Sequence, residues 1–284
     1  YMVSKMAREH VTVALSGDGG DEIFGGYDTY AADQLARRLA TVVPKGAVSM
    51  LASVLGLLPP SERKKGLLNK TKRFVQGIAD EPGDIAHYRW MAFLPVATKQ
   101  VLYTRELQAS LIHSDVYRPI RESLGSANTD DFLRRQLYAD LCVYLADDIL
   151  VKVDRMSMAT SLETRAPFLD VKLMELAYSI PSKFKIRHGE RKYILKQALR
   201  DVLPAEILRR RKEGFSIPMK NWLKKDLSPV MHDLLAPERI RRRGWFSPVA
   251  VTELMERHLA GRDNNAHVLF SLMVLERWAE STLD

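Results

Sequence analysis

Residues 11–27 read VTVALSGDGGDEIFGGY, and the architecture expected of the whole chain follows from this stretch. Val11 to Leu15 form a short apolar and β-branched run, which predicts a buried strand. A glycine-rich loop with three carboxylates, Ser16 to Glu22, follows the run directly. Loops at the carboxyl ends of strands are where open α/β sheets bind their ligands. The stretch therefore predicts a strand that ends in a ligand-binding loop.

The composition of this loop favours phosphate together with a divalent cation. Glycines let the backbone adopt positive φ angles and let a ligand approach the peptide N–H groups. Carboxylates repel a bare phosphate, so a phosphate that arrives with Mg²⁺ matches the loop better. The glycine spacing matches neither a Walker A loop nor a Rossmann fingerprint, and the loop lacks the Glu that an EF-hand requires at its twelfth position. Because glycine- and aspartate-rich segments after strands are often simple turns, spacing alone leaves both interpretations open.

The sequence of residues 16–27, SGDGGDEIFGGY, closely resembles the second signature loop of the glutamine-dependent asparagine synthetase family. Three later segments also resemble that family: LADDILVKVDRMSMATSLETRAPFLD (145–170), GERKYILKQALRDVL (189–203) and RRRKEGFS (209–216). The resemblance covers almost the whole chain. The family's N-terminal glutaminase domain and its upstream Ser-Gly-Gly-x-Asp-Ser loop have no counterpart, and the chain begins with Tyr1. We therefore expect a fragment that covers the later part of the synthetase domain.

The resemblance implies an α/β fold of the adenine-nucleotide α-hydrolase, or ATP pyrophosphatase, type. In that fold, helices flank a parallel sheet. Because the first strands of the domain are missing from this chain, we expect a mostly helical structure with a partial parallel sheet. We expect a single synthetase-type domain over residues 1–284, with residues 171–284 mainly helical.

The activity that the resemblance implies is an ATP-dependent amide-forming ligase. In the family, aspartate or a similar carboxylate is activated as an acyl-AMP with release of pyrophosphate. Ammonia from glutamine then converts the acyl-AMP to the amide. The implied cofactors are ATP and Mg²⁺, and the implied partners are a glutaminase domain absent from this chain and a homodimer of the full-length protein.

Four residues of the loop acquire roles through the resemblance. Ser16 and Gly17 would hold the nucleotide, chiefly through backbone groups. Asp18 is the expected catalytic carboxylate, although it stands where the family usually has the longer Glu. Asp21 would be the Mg²⁺ ligand.

Two lysines complete the implied site. Lys192 begins a helix, where the macrodipole does not favour a cation, so an anionic partner is expected. In the family, the lysine at this position approaches pyrophosphate. When the residues are considered without the resemblance, a solvated lysine is the more frequent case. Lys212 lies in a basic run before a glycine turn, where a compact cation can oppose a developing charge on phosphorus. The resemblance makes Lys212 the second catalytic residue.

The sequence around these motifs is mainly helical. We predict one helix from Ile23 to Leu39, and a buried helical face formed by Leu133, Leu137, Leu141 and Tyr144. Asp148 and Lys152 are four residues apart, which predicts an exposed ion pair.

The corner from Glu163 to Asp170 is expected to be scaffold rather than catalytic. Its charged residues, Glu163 and Arg165, are expected to brace neighbouring elements, and the family has the same Glu-x-Arg-x-Pro-Phe-Leu-Asp wording.

Composition limits the remaining functional classes. The chain has 284 residues, a formal net charge of +8 and one cysteine, Cys142. The positive charge favours acidic ligands, and a single cysteine excludes a disulfide framework and fits a reducing cytoplasm. Neither a membrane span nor a signal peptide is apparent, so we expect a cytoplasmic protein without a membrane partner.

Three alternatives to an asparagine synthetase stay open at this point. The first is a related amidotransferase that acts on another acyl substrate. The second is a basic nucleic-acid-binding module, although the basic stretches 62–73 and 241–243 lack its signatures and are expected to be solvated surface. The third is a non-catalytic fragment. The ligase is preferred, and no nucleic-acid partner is expected.

Overall fold

A computed structural model of the protein describes residues 1–56, 71, 74–75, 85, 87–88, 92, 94, 96–210 and 217–284. The chain forms two compact units. The first consists of residues 1–42, 83–87 and 116–213, and the second of residues 43–82, 88–115 and 214–284. The expectation of a mostly helical α/β structure with a small parallel sheet is confirmed. The ATP pyrophosphatase-type sheet and the single domain over residues 1–284 stay predictions.

The helices lie in three stretches of the described chain. Before residue 57 they are α1 (Met2–Arg8), α2 (Gly20–Phe24), α3 (Asp28–Ala40) and α4 (Lys45–Gly56). Between residues 96 and 210 they are α5 (Val96–Leu102), α6 (Arg105–Ser110), α7 (Arg118–Ser126), α8 (Phe132–Ala139), α9 (Val151–Met158), α10 (Val171–Ser179), α11 (Ser182–Lys185), α12 (Tyr193–Ala198) and α13 (Ala205–Arg209). After residue 216 they are α14 (Met219–Lys224), α15 (Ser228–Leu234), α16 (Pro237–Arg243), α17 (Pro248–Leu259) and α18 (Ala266–Thr282).

The sheet of the first unit pairs two strands in parallel, β1 (Val13–Leu15) and β2 (Glu163–Arg165). The strand predicted from residue 11 begins two residues later, and its predicted burial is wrong. Val13 is 39% exposed and Leu15 is 74% exposed. The reason is that the sheet has two strands in the described part of the chain, so these side chains lack a covering layer.

The loop after β1 does not open into one long helix. Gly25 has a φ of 69°, a left-handed conformation that ends α2, and α3 begins at Asp28. The predicted continuous helix from Ile23 to Leu39 is therefore wrong at this break. The turn at residues 25–27 folds the chain back beside the loop instead of carrying it away.

A π-helical segment, Asp140–Leu150, joins α8 to α9. Leu133 and Leu137 are buried as predicted, but in the π-helix Leu145 takes the fully buried position instead of Leu141 or Tyr144. A π-helix has a wider turn than an α-helix, so a face predicted at helical spacing drifts out of register. The predicted ion pair between Asp148 and Lys152, two residues that the structure describes, does not form. Asp148 lies in the π-helix, where residues four apart are not aligned as they are in an α-helix.

The core of the first unit holds the helix that follows the loop. Ile23 and Phe24 of α2 are buried against Ala177 of α10, with Ile194 and Leu195 of α12 packed alongside. Burying these apolar side chains anchors α2 at the end of the strand, because each removes a large apolar area from water.

The second unit has its own core, which is made by the helices on both sides of residue 216. Its fully buried members include Leu102, Leu223, Met231, Leu235 and Leu269. In the described part of the chain, no helix combines the length and the apolar character needed to span a membrane.

The basic run at residues 241–243 belongs to this second unit, at the end of α16. Arg241 and Arg242 are exposed as expected, but the expectation is wrong for Arg243, which is only 10% exposed. Arg243 contacts both carboxylate oxygens of Asp284 at 2.8 Å and lies 3.2 Å from the buried Glu276. It therefore ties α16 to α18 and to the residues that follow α18.

Candidate functional site

The loop after β1 depends on close packing against the Pro167–Asp170 corner. Gly19 has a φ of 85°, and a Cβ atom there would overlap the Leu169 side chain. A Cβ on Gly20 would lie 3.1 Å from the Phe168 ring. The Asp170 carboxylate caps α10 by accepting two backbone hydrogen bonds. These contacts agree with a scaffolding role for the corner.

The two charged residues of the corner, Glu163 and Arg165, form an exposed ion pair with each other. Glu163 and Arg165 pair with each other across 2.7 Å on one exposed face of β2, where the contact is open to solvent. An exposed pair of this kind contributes little to stability. The expectation that these charges brace neighbouring elements is wrong, because the backbone of Arg165 makes the link by accepting a hydrogen bond from Ser16 N–H at 2.8 Å.

The centre of the candidate site is an ion pair between Asp21 and Lys192. Asp21 lies in the first turn of α2, Lys192 precedes α12, and Lys192 Nζ is 2.8 Å from Asp21 Oδ1. Lys192 has a φ of 52°, an uncommon conformation for a residue with a side chain, which occurs often at functional sites. Gly26 makes the approach possible, because a Cβ there would overlap both side chains.

Two further ion pairs surround this one. Arg191 donates to the carbonyl oxygen of Gly26 at 3.2 Å and also pairs with the Asp28 carboxylate. Lys196 pairs with Glu190 across 3.0 Å. Arg191 thus fastens the segment before α12 to the residues between α2 and α3, whereas the Lys196–Glu190 pair lies within the segment that contains α12.

A cavity of about 460 Å³ opens beside the Asp21–Lys192 pair. Its lining includes five charged residues of the ion pairs described above, Asp21, Glu190, Arg191, Lys192 and Lys196. It also includes five aliphatic residues, Leu195, Leu199, Leu203, Ile207 and Leu208. Two arginines also line it, Arg209 and Arg210. The volume lies in the range of small-molecule sites, and the lining combines apolar surface with a few polar groups, as such sites do.

The structure brings some of the predicted site residues together and not others. Asp21 and Lys192 line the same cavity, but Ser16, Gly17 and Asp18 are not among its lining residues. The backbone N–H of Ser16 is engaged by β2, and Gly17 lies in open space. Lys212 lies outside the described residues. The assigned roles of these residues stay predictions.

The donor set suits a Mg²⁺ ion that arrives with phosphate. No group of three or more His, Cys, Asp or Glu side chains that could hold a metal is present among the described residues. Asp21 offers one carboxylate beside a lysine. Mg²⁺ in nucleotide sites commonly takes one or two protein carboxylates and completes its shell with phosphate oxygens and water. The residues therefore fit a metal–phosphate ligand rather than a dedicated protein cage.

A buried carboxylate next to Asp21 escaped the sequence analysis. Glu22 is 1% exposed and accepts a hydrogen bond from the Tyr27 hydroxyl. Burial raises the pKa of Glu22, while the hydrogen bond from Tyr27 opposes the shift. Burial and the adjacent Glu22 carboxylate raise the pKa of the Tyr27 hydroxyl, so Tyr27 stays protonated. A five-residue separation across a glycine turn gives no periodic signal, so the sequence could not reveal the pair.

A second buried network lies behind the loop. The Tyr30 hydroxyl donates to Asp140 at 2.5 Å, and His87 Nε2 lies 3.0 Å from the same carboxylate oxygen. His87 Nδ1 contacts Asp33, and the rings of His87 and Tyr30 stack with centroids 5.2 Å apart. Burial lowers the pKa of His87, but the hydrogen bonds that its ring donates to the carboxylates of Asp140 and Asp33 outweigh burial and raise the pKa to about 9. His87 is therefore a buried cation at neutral pH.

Comparison with known proteins matches the chain to the family that the loop sequence resembles. Residues 1–280 match the family model described as Asparagine synthase. The chain is 31% identical over 278 residues to a protein named asparagine synthetase [glutamine-hydrolyzing] 1 of Bacillus subtilis (strain 168). The aligned region covers 98% of this chain and 42% of the relative. It is 31% identical over 279 residues to a putative asparagine synthetase [glutamine-hydrolyzing] of Mycobacterium tuberculosis (strain ATCC 25618 / H37Rv), covering 98% and 40%.

A more distant relative carries a different name. The chain is 23% identical over 281 residues to amidase chyE of Penicillium rubens (strain ATCC 28089 / DSM 1075 / NRRL 1951 / Wisconsin 54-1255), covering 89% of this chain and 39% of that protein. The chain belongs to the asparagine synthase family. It spans about two fifths of the length of these curated relatives.

Proposed function

We propose that the protein is an ATP-dependent amide-forming ligase of the asparagine synthetase type. The observation that carries the proposal is that Asp21 and Lys192 face one cavity, 2.8 Å apart, at the end of the loop that follows β1. A carboxylate and a lysine in one cavity suit a metal-bound polyphosphate, because one holds the metal and the other the phosphate oxygens.

The proposed reaction has two steps. A carboxylate oxygen of aspartate, or of a similar acid, attacks the α-phosphorus of ATP. The bond from that phosphorus to the pyrophosphate oxygen breaks, which leaves an acyl-AMP and pyrophosphate. Ammonia released from glutamine attacks the acyl carbon, and the bond to AMP breaks to give the amide, AMP and a proton. The first step concentrates anionic groups, so the site must neutralise charge.

Each predicted residue has a place in this scheme. A bound Mg²⁺ ion supplies charge neutralisation on the phosphates. Asp21 would hold that ion, and Lys192 would turn from Asp21 to a pyrophosphate oxygen. Ser16 and Gly17 would contact the nucleotide through backbone groups, and Asp18 would accept a proton from the attacking amine.

Lys212 would stabilise the charge that develops on phosphorus. Support for this role comes from the resemblance of residues 209–216 to the family's lysine motif. A lysine can act there as a compact cation with rotatable donors.

The assembly around the chain is part of the proposal. A glutaminase domain would supply ammonia, because the named relatives hydrolyse glutamine and are more than twice as long as this chain. The proposal also includes a homodimer of the full-length protein. It further includes a cytoplasmic location, because a single cysteine fits a reducing compartment.

Exchange of radiolabelled pyrophosphate into ATP by the full gene product tests the proposal. We expect exchange that depends on aspartate or another carboxylate. In a Lys192→Met variant we expect exchange to fall by about 10²-fold or more, as when one donor to a developing charge is removed. Lys172→Met, an exposed lysine on α10, is the matched control and should exchange like wild type. Undiminished exchange in Lys192→Met, or no exchange with any carboxylate, would overturn the proposal.

A further inference from the structure

The buried network behind the loop takes no part in the proposed reaction. His87 lies between the carboxylates of Asp33 and Asp140, and each of the three residues is at most 3% exposed. Tyr30 is 1% exposed, donates to Asp140 at 2.5 Å and stacks on the His87 ring with the two ring planes 2° apart. Burying ionised groups is costly, and a well-packed apolar cluster of similar volume often holds elements together at least as well. A role beyond packing is therefore expected of this network.

His87 fixes the position of α3 against the π-helical segment. Asp33 belongs to α3, and Asp140 is the first residue of the π-helical segment. Because both carboxylates are buried, they would repel each other or take up a proton if no cation lay between them. The His87 ring meets Asp33 through Nδ1 and Asp140 through Nε2. The charged ring thus joins the two elements at a defined separation.

The position of α3 in turn determines the turn that precedes it. Tyr27 and Tyr30 lie three residues apart at the start of α3, and their ring centroids are 5.7 Å apart. A displacement of Tyr30 therefore reaches Tyr27 through the helix backbone and through the ring contact. Gly26, the residue before Tyr27, is the point where the Asp21 and Lys192 side chains approach each other. The first turn of α3 thus governs the space in which this ion pair forms.

Tyr27 also holds α2 directly. Its hydroxyl donates to the buried carboxylate of Glu22, which is the neighbour of Asp21 in α2. The Tyr27 ring is held on another side by Tyr144, with the ring centroids 5.9 Å apart. The buried network is therefore linked to α2 through side chains of the first unit that touch one another.

We propose that His87 is a positioning residue, which holds Asp21 of the candidate site in place through Tyr30 and Tyr27. His87 is not among the described residues that line the cavity, so it acts on a ligand there only through other residues. The inference rests on the proposed function only in what Asp21 binds, which is Mg²⁺ together with pyrophosphate.

Calorimetric titration of pyrophosphate with Mg²⁺ into the full gene product measures the effect on binding. At pH 7 we expect Kd to rise about tenfold in His87→Gln, a size found for residues that contact neither ligand. His258→Gln, in the second unit, is the matched control, because His258 is also fully buried and both of its ring nitrogens are hydrogen-bonded. Both variants lose stability, but His258→Gln should bind pyrophosphate like wild type.

The pH dependence of binding tests whether the charge of His87 is responsible. Among the described residues, the titratable and charged groups that face His87 are Asp33 and Tyr30 of α3 and Asp140 of the π-helical segment. The pKa of His87 is raised to about 9, so its ring is charged at pH 7 and loses the charge as the pH rises through 9. We expect the ratio of Kd in His87→Gln to Kd in wild type to fall towards one between pH 7 and pH 10. This ratio cancels the titration of pyrophosphate itself.

A double-mutant cycle tests the route from His87 to the loop. Tyr27→Phe keeps the ring and removes the donor to Glu22. If His87 acts through Tyr27, the double variant should bind little worse than the weaker-binding single variant. Effects on Kd that multiply in the double variant would show that the two residues act independently, which overturns the proposed route.

Amide hydrogen exchange adds a readout that needs no ligand. We expect residues 20–27 to exchange about tenfold faster in His87→Gln and at the wild-type rate in His258→Gln. If His87→Gln does not fold, Tyr30→Phe, which removes only the donor to Asp140, takes its place in each comparison. Wild-type Kd together with wild-type exchange in the variant overturns the positioning role and leaves the ligase intact. Absence of pyrophosphate binding in the wild-type protein counts against the ligase, while faster exchange in the variant still supports the positioning role.

Discussion

The contact between Asp21 and Lys192 exists because residue 26 has no side chain. Lys192 Nζ lies 2.8 Å from Asp21 Oδ1, and the space that a Cβ on Gly26 would fill is taken by these two side chains. The glycine pair at the end of the loop motif therefore has two functions. Gly25 ends α2 with a positive φ, and Gly26 leaves room for the ion pair.

Gly26→Ala should disable the site with little effect on the rest of the fold. The added methyl group displaces Asp21 or Lys192, and overpacking of this kind costs about 1–3 kcal/mol. We expect pyrophosphate exchange to fall more than tenfold while the protein still unfolds cooperatively. Gly125→Ala is the control, because a Cβ there meets nothing within 4 Å. Full exchange activity in Gly26→Ala would show that the ion pair is irrelevant to the reaction.

Tyr27→Phe should destabilise the protein in a pH-dependent way. The Glu22 carboxylate loses its donor, and an unsatisfied buried group costs about 1–3 kcal/mol. Because the pKa of Glu22 is already raised, the carboxyl group is neutral at low pH and needs the donor less. We expect the loss in free energy of unfolding, measured by urea titration, to be larger at pH 7 than at pH 4. An equal loss at both pH values would mean that Glu22 is not ionised in the folded state.

His87 should stabilise the fold only while it is protonated. Its folded pKa of about 9 lies above the unfolded value of 6.5, so its contribution is complete below pH 6.5 and is lost as the pH rises through 9. A shift of this size is on the order of 3 kcal/mol. We expect the difference in unfolding free energy between wild type and His87→Gln to shrink between pH 6 and pH 10. A difference that does not change with pH would contradict the paired, charged state.

Lys185 should show the opposite dependence. Its side chain is fully buried, its Nζ has no hydrogen-bond partner among the described residues, and it lies 5.0 Å from the centre of the Tyr178 ring. Burial, helped by Arg134, lowers its pKa to about 8. Between pH 8 and about 10.4 the unfolded chain therefore binds more protons at Lys185 than the folded protein does. The free energy of unfolding of the wild-type protein rises with pH in this range, as far as it depends on Lys185.

Removing the Lys185 charge should accordingly stabilise the protein. Replacing a buried charge with a well-packed apolar side chain can add about 1–4 kcal/mol. We expect Lys185→Met to unfold at higher urea concentration than wild type at pH 7, and the gap to narrow at pH 10. Lys183→Met, on the same short helix but exposed, should change little at either pH. A Lys185→Met variant that is less stable at pH 7 would mean that the contact with the Tyr178 ring outweighs desolvation.

The sequence was most informative where a short motif carries its own geometry. The resemblance of the loop at residues 16–27 to the family singled out Asp21, and the resemblance of residues 189–203 singled out Lys192. The structure brings the two side chains into contact, and their roles stay predictions. The burial of β1 was mispredicted since it depends on neighbouring strands rather than on the strand itself. The helix break at Gly25 was missed because the residues on both sides favour a helix and only the backbone angle ends it.

Contacts between distant segments were beyond prediction from this sequence. His87 meets Asp33 and Asp140 across 54 and 53 residues, and no periodicity connects such positions. The π-helix after Ala139 likewise follows from packing, and it moved the buried face away from Tyr144. Arg243 looked like one of three surface arginines because its partner, Glu276, lies on another helix.

The central claim is that the Asp21–Lys192 cavity binds a metal-bound polyphosphate. Calorimetric titration of pyrophosphate into the full gene product, with and without Mg²⁺, tests this claim without requiring turnover. We predict binding that needs Mg²⁺ in the wild-type protein and that is lost in both Asp21→Asn and Lys192→Met, while Lys172→Met binds like wild type. Mg²⁺-dependent binding that persists at the same affinity in Asp21→Asn and Lys192→Met would contradict the account.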